Sequence, residues 1–366
     1  MATWDTSIVI LTLLFAVNAA MCENLDEWHG GEEINTQDLD TKAAICDSEQ
    51  DQLVSSDFHD ESGCSSDTHA QQEFDSGVAT FDFAVLHHPT LSCKEGSGVT
   101  VYVLTKQSDF RVRRSIRQTW ARKRDNRMSV VFVLGGSDDN EEVTSGLEEE
   151  QHEWNDLLQF EMRDTYRNLA RKNIATLKYL AEHCPPQALL AKIDADVYVN
   201  TPRLLQVVEQ AHLQQWRGFH CRVFSSTRPI RSGTKWEVSL EEYPDDTYPP
   251  YCLGAAEIFN VDVARRIHLA ALRTQFFWID DVFVTGILRE AANVAITRLD
   301  SHDSFKNFYQ SIDGSDVNVK HDNVFVELRR VVTTTLWHKL HDTFTNWNDE
   351  EGEKEWEDRS ARWTEP

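Results

Sequence analysis

The chain has 366 residues, 40% of them hydrophobic and 27% charged, with a formal net charge of −25. That length accommodates one large domain or two ordinary ones around a true core. So large a deficit of cations argues against a nucleic-acid binder, which needs a basic excess to meet phosphate.

The charge is uneven. Residues 23–90 carry 17 acidic side chains against Lys42 alone. Before them, Ser7 to Cys22 is an apolar run with a Val17-Asn18-Ala19 cleavage-like site, so residues 1–22 read as a signal peptide or a signal anchor. The anchor would give membrane association through this segment; cleavage would leave a secreted protein. Residues 23–92 are acidic, Ser- and Gln-rich and without aliphatic periodicity, the composition of a disordered stem. A domain over 93–349 and an acidic tail over 350–366 complete the expected division. Seven cysteines without a Cys-x-x-Cys pair favour disulfides over zinc, with the pairing left open.

From Gly98 the texture becomes that of a folded domain. "GVTVYVLTK" reads as a strand, and "DFRVRRSIRQTWA" as a basic helix capped by Asp109. "SVVFVLGG" is a second strand, followed by an acidic helix from Glu141 to Trp154 and a third strand at "LLQFEM". Thr165 to Cys184 carries leucines and an isoleucine at helical spacing until Pro185-Pro186 stops it. "QALLAKIDAD" is the fourth strand. Strands alternating with helices predict an α/β domain with a mostly parallel sheet.

Ligands of such sheets sit at the carboxyl ends of the strands. Asp194 and Asp196 stand at one such end, and if the strand continues through them both carboxylates point to one side. Two hard oxygen ligands suit Mg²⁺ or Mn²⁺ shared with phosphates, although two aspartates could equally cap the loop and the helix starting near Thr201. A second pair, Asp280 and Asp281, follows four apolar residues and precedes an apolar helix-like run. These acids either cap that helix or hold a carboxylate beside apolar groups, where it can accept a proton from a hydroxyl.

In order along the chain, "RRSIRQTWA" (113–121), "VVFVLG" (130–135), "FEMRDTYRNLARKN" (160–173), "AKIDADVYVN" (191–200), "PIRSGTKWEV" (229–238), "YPPYCLG" (248–254), "IDDVFVTG" (279–286) and "RRVVTTT…WND" (329–349) resemble the β-1,3-glycosyltransferase family, glycosyltransferase family 31, in its β-1,3-galactosyltransferase branch. The resemblance implies a GT-A (Rossmann-like) fold and an inverting Golgi enzyme. It would move galactose, or else N-acetylglucosamine or N-acetylgalactosamine, from a UDP-sugar to a glycan acceptor on a glycoprotein or glycolipid. It assigns Asp196 to Mn²⁺, Asp194 to the nucleotide and metal, and Asp281 to the catalytic base, with Asp280 as its support or a helix cap. Arg117 is a candidate for the donor phosphates and Lys192 for the acidic cluster or a strand cap. Trp236 and Tyr251 are candidates to stack on sugars, or else they pack.

The chain departs from the family pattern at four places. Ala195 replaces the middle acid of the metal block, Ala256 and Glu257 replace a glycine-containing texture, and Ala170 replaces a threonine. The histidine expected as a further metal ligand falls near Thr335, with His338 able to substitute only if the register shifts. These departures leave a second reading, an inactive sugar- or nucleotide-binding relative that partners an active transferase.

Overall fold

The computed structural model describes residues 81–93, 98–122, 126–136, 140–299, 309–313, 319, 323–329 and 334–347. The expected leader, most of the expected stem, the acidic tail, and Cys22, Cys46 and Cys64 lie outside the described residues. Among those described, no helix is long and apolar enough to cross a membrane.

The elements run β1 (Val85–His87), β2 (Val99–Leu104), α1 (Phe110–Gln118), β3 (Met128–Gly135), α2 (Glu141–Trp154), β4 (Leu157–Phe160), α3 (Leu169–His183), β5 (Leu189–Asp194), β6 (Val197–Val199) and α4 (Thr201–Leu213). There follow β7 (Phe219–Phe224), β8 (Tyr251–Asn260), α5 (Val261–Ala271), a π-helix (Val282–Leu288), β9 (Ile296–Arg298), β10 (Tyr309–Asp313), β11 (Phe325–Arg329) and α6 (Thr334–Trp347). One sheet has the order β1-β4-β3-β2-β5-β8-β7-β9, and a second has β10-β11-β6. The central strands β4, β3, β2 and β5 are mutually parallel, as the alternation predicts. β8 then runs antiparallel to both β5 and β7.

Strands β2 and β5 read as continuous apolar runs because both faces of the sheet are covered. Val99, Val101 and Val103 of β2 join the core formed with α1, α2, α4 and α6. Tyr102 and Leu104 join the opposite layer, under α3, α5 and the π-helix. The chain steps from β2 outward to β3 and β4, then returns to the other side of β2 with β5. That reversal is the switch point at which open α/β sheets bind ligands, and the strand ends flanking it are Leu104 and Asp194.

Three expectations are corrected. Residues 81–92 are not all stem: β1 pairs with β4, and Phe81 is 2% exposed in the core. Asp109 makes no side-chain cap on α1; its carboxylate instead accepts from Lys106 N at 2.8 Å, closing the preceding turn. The strand does not continue through Asp196. β5 ends at Asp194, Ala195 and Asp196 form a turn, and β6 belongs to the second sheet.

Two disulfides join described cysteines, Cys93–Cys184 and Cys221–Cys252. The first ties the segment after β1 to the end of α3 across 91 positions of sequence. Replacing both Cys93 and Cys184 by serine should lower unfolding stability by about 2–4 kcal/mol, because the unfolded chain loses a long cross-link. Urea denaturation under non-reducing conditions measures this, and an unchanged midpoint would show that the strap is held by packing alone.

Candidate functional site

The site is built around a buried lysine. Tyr102 on β2, Lys192 on β5 and Glu257 on β8 stand side by side in the sheet register, facing the layer that carries α3 and the π-helix. Lys192 Nζ donates to Asp194 Oδ1 at 2.9 Å and to Gly254 O at 2.6 Å, and lies 3.6 Å from Asp280 Oδ2. Tyr102 donates to Asn173 Oδ1 at 2.9 Å, and Asn173 Nδ2 donates to Asp280 Oδ1 at 2.9 Å. One aspartate from each acidic pair, Asp194 and Asp280, far apart in sequence, therefore meets the same ammonium group. Neither Asn173 nor the Lys192–Asp280 pairing could be read from local sequence.

Each carboxylate has a different environment. Asp280 is buried; burial raises its pKa, while Lys192 and Asn173 oppose the rise. Asp281 keeps some solvent access, and its Oδ1 accepts from Val282 N at 2.9 Å. Burial, then the adjacent charge of Asp280, pushes Asp281 up to about 7. Burial, then the charges of Asp194 and Glu327, likewise pushes Asp196 up to about 7. Glu257 is 1% exposed, burial raises its pKa, and its Oε2 has no hydrogen-bond partner among the described residues.

Gly254 lets β8 run against this cluster. A Cβ there would sit 3.3 Å from Lys192 Nζ and 3.4 Å from Asp281 Cβ. The carboxylate-bearing segment continues as a π-helix, a geometry frequent at functional sites. Beside it, Trp236 Nε1 donates to the Tyr166 hydroxyl at 2.7 Å, and Trp278 packs edge-on to Tyr166 at 6.2 Å. Tyr166 is within electrostatic reach of Asp281, Asp194 and Asp280, so this aromatic shelf borders the acids. Arg167 lies 4.5 Å above Trp278 and pairs with Glu242, which also accepts from Trp278 Nε1. Tyr251 begins β8, its ring 5.8 Å from Phe224.

Two candidates stand elsewhere. Each of the three guanidinium nitrogens of Arg117 donates to Asp156 or Glu150 at 2.6–2.9 Å, and its guanidinium lies over Phe132. With Arg113, which also pairs with Glu150, it forms a buried structural network rather than a phosphate grip. His338 is exposed on α6, its Nδ1 2.8 Å from Thr334 O of the same helix. The α6 histidine that reaches β6 is His341, 3.2 Å from the Tyr198 hydroxyl. Among the described residues, no three His, Cys, Asp or Glu side chains form a metal cluster.

The raised acids fix the sign of the pH dependence. Their folded pKa values exceed the unfolded values, so their cost is absent near pH 4 and complete above about 7. Stability therefore falls as pH rises through that window. Lys192→Met should cost about 3–5 kcal/mol at pH 7.5, since it strands buried carboxylates, and less at pH 5, where they protonate. Thermal unfolding of both proteins at the two pH values measures this; a pH-independent loss would assign the cost to packing.

Residues 111–300, just over half of the chain, match the family model described as Galactosyltransferase. Mouse beta-1,3-galactosyltransferase 5 is 33% identical over 205 residues, which span 54% of this chain and 66% of that protein. The human protein of that name is 29% identical over 222 residues, 59% of this chain and 71% of its own length. Mouse beta-1,3-galactosyltransferase 1 is 27% identical over 215 residues, 58% and 65% of the two chains. Among solved structures, S. aureus TarS 1-349 in complex with UDP-GlcNAc overlaps with a TM-score of 0.35 at 12% identity, covering 65% of this chain and 60% of that one. The mannosyltransferase PcManGT from Pyrobaculum calidifontis, in complex with GDP-Man and Mn2+, overlaps at 0.30 with 16% identity, covering 51% and 50%. The chain belongs to the galactosyltransferase family.

Proposed function

We propose that this protein transfers galactose from UDP-galactose to a hydroxyl of an acceptor glycan in β-1,3 linkage, with inversion at the anomeric carbon. The observation that carries the proposal is the meeting of one aspartate from each acidic pair, Asp194 and Asp280, on Lys192 at the sheet's switch point. In this reading the acceptor oxygen attacks the anomeric carbon, the bond to UDP breaks, and Asp281 takes the acceptor's proton. A carboxylate raised to about 7 is basic enough to accept that proton and still ionised at neutral pH. Asp280, committed to Asn173 and Lys192, holds the segment that carries the base.

Asp194 and Asp196 present hard oxygens at the corner between the two sheets. This chemistry fits Mn²⁺, which when bound would neutralise charge on the departing diphosphate. Lys192 fixes Asp194 through the 2.9 Å bond, and so fixes one side of that corner. Trp236 and Tyr166 offer aromatic faces for the acceptor beside Asp281. The two disulfides support an oxidising compartment, so we place the protein in the secretory pathway, in the Golgi lumen. We begin the transferase domain at residue 81 rather than 93, because β1 pairs with β4, and retain the membrane anchor as the role of the N-terminal segment if it is not cleaved.

Asp281→Asn should reduce transfer by about 10²–10⁴-fold while UDP-galactose binding persists. Wild-type kcat/KM should rise about tenfold per pH unit below about 7 and level off above it, because the base must be ionised. Asp196→Ala should abolish the Mn²⁺ dependence of donor binding in a calorimetric titration. Wild-type transfer rates in Asp281→Asn would remove it as the base, and unchanged metal-linked affinity in Asp196→Ala would remove that residue as a ligand. A folded wild-type protein that binds UDP-galactose without transferring it would favour the non-catalytic relative.

A further inference from the structure

Residues 229–248, between β7 and β8, form no helix or strand beyond an isolated bridge from Ile230 to Glu237, so their backbone carbonyls need other donors. Arg231 supplies them. Its guanidinium donates to the carbonyls of Val238, Ser239, Tyr243 and Asp245 at 2.9–3.1 Å. Ser239 and Glu242 then close a turn reciprocally: Ser239 N donates to Glu242 Oε2 at 2.9 Å, and Glu242 N donates to Ser239 Oγ at 3.1 Å. This is the Ser-x-x-Glu exchange of a capping box, legible in the sequence.

The other oxygen of Glu242 reaches out of the loop. It accepts from Trp278 Nε1 at 3.0 Å and from Arg167 Nη1 at 2.9 Å, and the Arg167 guanidinium lies over the same Trp278 ring. One carboxylate thereby joins three segments that are distant in sequence. Trp278 stands three residues before Asp281. Arg167 belongs to the 3₁₀ turn Tyr166–Asn168 that leads into α3, whose Asn173 holds Asp280. The same three segments each give one ring to the aromatic shelf: Trp236 donates to the Tyr166 hydroxyl, and Tyr166 meets Trp278 edge-on. Tyr166 is 49% exposed, and the ammonium of the exposed Lys235 stands 5.8 Å over its ring, so the shelf is open to a ligand. The Arg167 and Glu242 side chains are 63% and 29% exposed, and an ion pair so open to water adds little stability. What the carboxylate fixes is relative position.

We propose that Glu242 is a positioning residue for acceptor recognition: it fastens the loop carrying Trp236 to the segment carrying Asp281, and so sets the shelf on which the acceptor sugar stacks. The inference rests on the transfer reading for the identities of base and acceptor, but it concerns binding and is tested by binding. A shelf built from three segments keeps its shape only while they are tied together, and small displacements of a bound sugar are costly.

The test compares the full-length wild type with Glu242→Ala, Glu242→Gln and Arg167→Met. Affinities for p-nitrophenyl β-galactoside, β-N-acetylglucosaminide and α-N-acetylgalactosaminide are measured calorimetrically with UDP and Mn²⁺ present, alongside UDP affinity and thermal unfolding. In Glu242→Ala, whichever glycoside the wild type binds should bind about tenfold more weakly, with UDP affinity unchanged. Glu242→Gln keeps an acceptor for Trp278 Nε1 and should recover most of that loss. Arg167→Met, at an exposed guanidinium, should weaken glycoside binding about threefold and serves if Glu242→Ala does not fold. Equal glycoside affinity in the wild type and the folded variants would overturn the proposal, even with a lowered melting temperature. So would a parallel loss of UDP affinity, no recovery in Glu242→Gln, or no binding of any glycoside to the wild type. Weakened glycoside binding in Glu242→Ala, where the wild type does not transfer galactose, would support this inference and defeat the transfer reading alone.

Discussion

The site depends on the burial of one ammonium group. Removing Lys192 from water is tolerable only if carboxylates surround it, and the sequence supplies them from three places: Asp194 on its own strand, Glu257 on the neighbouring strand, and Asp280 from the segment before the π-helix. The dependence runs both ways, because those carboxylates are buried and would be untenable without the lysine. Burial raises the proton affinities of Glu257, Asp280 and Asp281, and the neighbouring carboxyls, which outnumber the ammonium, add to the rise in spite of it. Of these carboxyls, Asp194 and Asp281 keep solvent access at the edge of the cluster.

The departures from the family pattern are resolved by which face of the sheet each residue occupies. Ala256 pairs with Ile193 and lies in the core layer opposite Lys192, so its methyl group does not touch the acidic cluster. The glycine required for close approach is Gly254, which is present. Glu257 is the consequential change, since it adds a carboxyl directly beside Lys192. Ala195 removes a possible oxygen from the corner, but it occupies the turn between two sheets and packs against the same apolar layer as Ala256. Asp194 and Asp196 are the carboxylates that the turn leaves at the sheet edge.

Much of the fold was legible because it is written in local periodicity. The strands at β2, β3, β4 and β5 and the intervening helices follow from apolar runs and helical spacing, and their alternation dictates a parallel centre. What the sequence hid were the partners brought in by register. Arg117 looks suited to phosphate until Glu150 and Asp156, more than thirty residues on, are seen to occupy its nitrogens. Tyr102 reads as a core aromatic until Asn173 is placed between its hydroxyl and Asp280. The turn at Ala195 was missed because an apolar–polar alternation carries on through a corner, and only the change of sheet at β6 reveals it. Glu257 carried a signal, as an acid inside an apolar strand, but its purpose depends on a neighbour 65 positions away.

Adjacent aspartates can be divided into two roles because a helical turn separates consecutive side chains by about 100°. Asp280 is turned inward, where Asn173 and Lys192 take its two oxygens. Asp281 is turned toward the opening, where one oxygen accepts from Val282 N and the group retains solvent access. The inward charge cannot move and cannot be fully compensated, since Lys192 is shared with Asp194 and lies beside Glu257. Its residual field acts at the shortest possible range on the next residue and contributes to raising Asp281 to about 7. The pair thus converts a structural ion pair into a chemical property: burial raises Asp281 first, and the carboxylate held fixed beside it makes this half-buried neighbour more basic still.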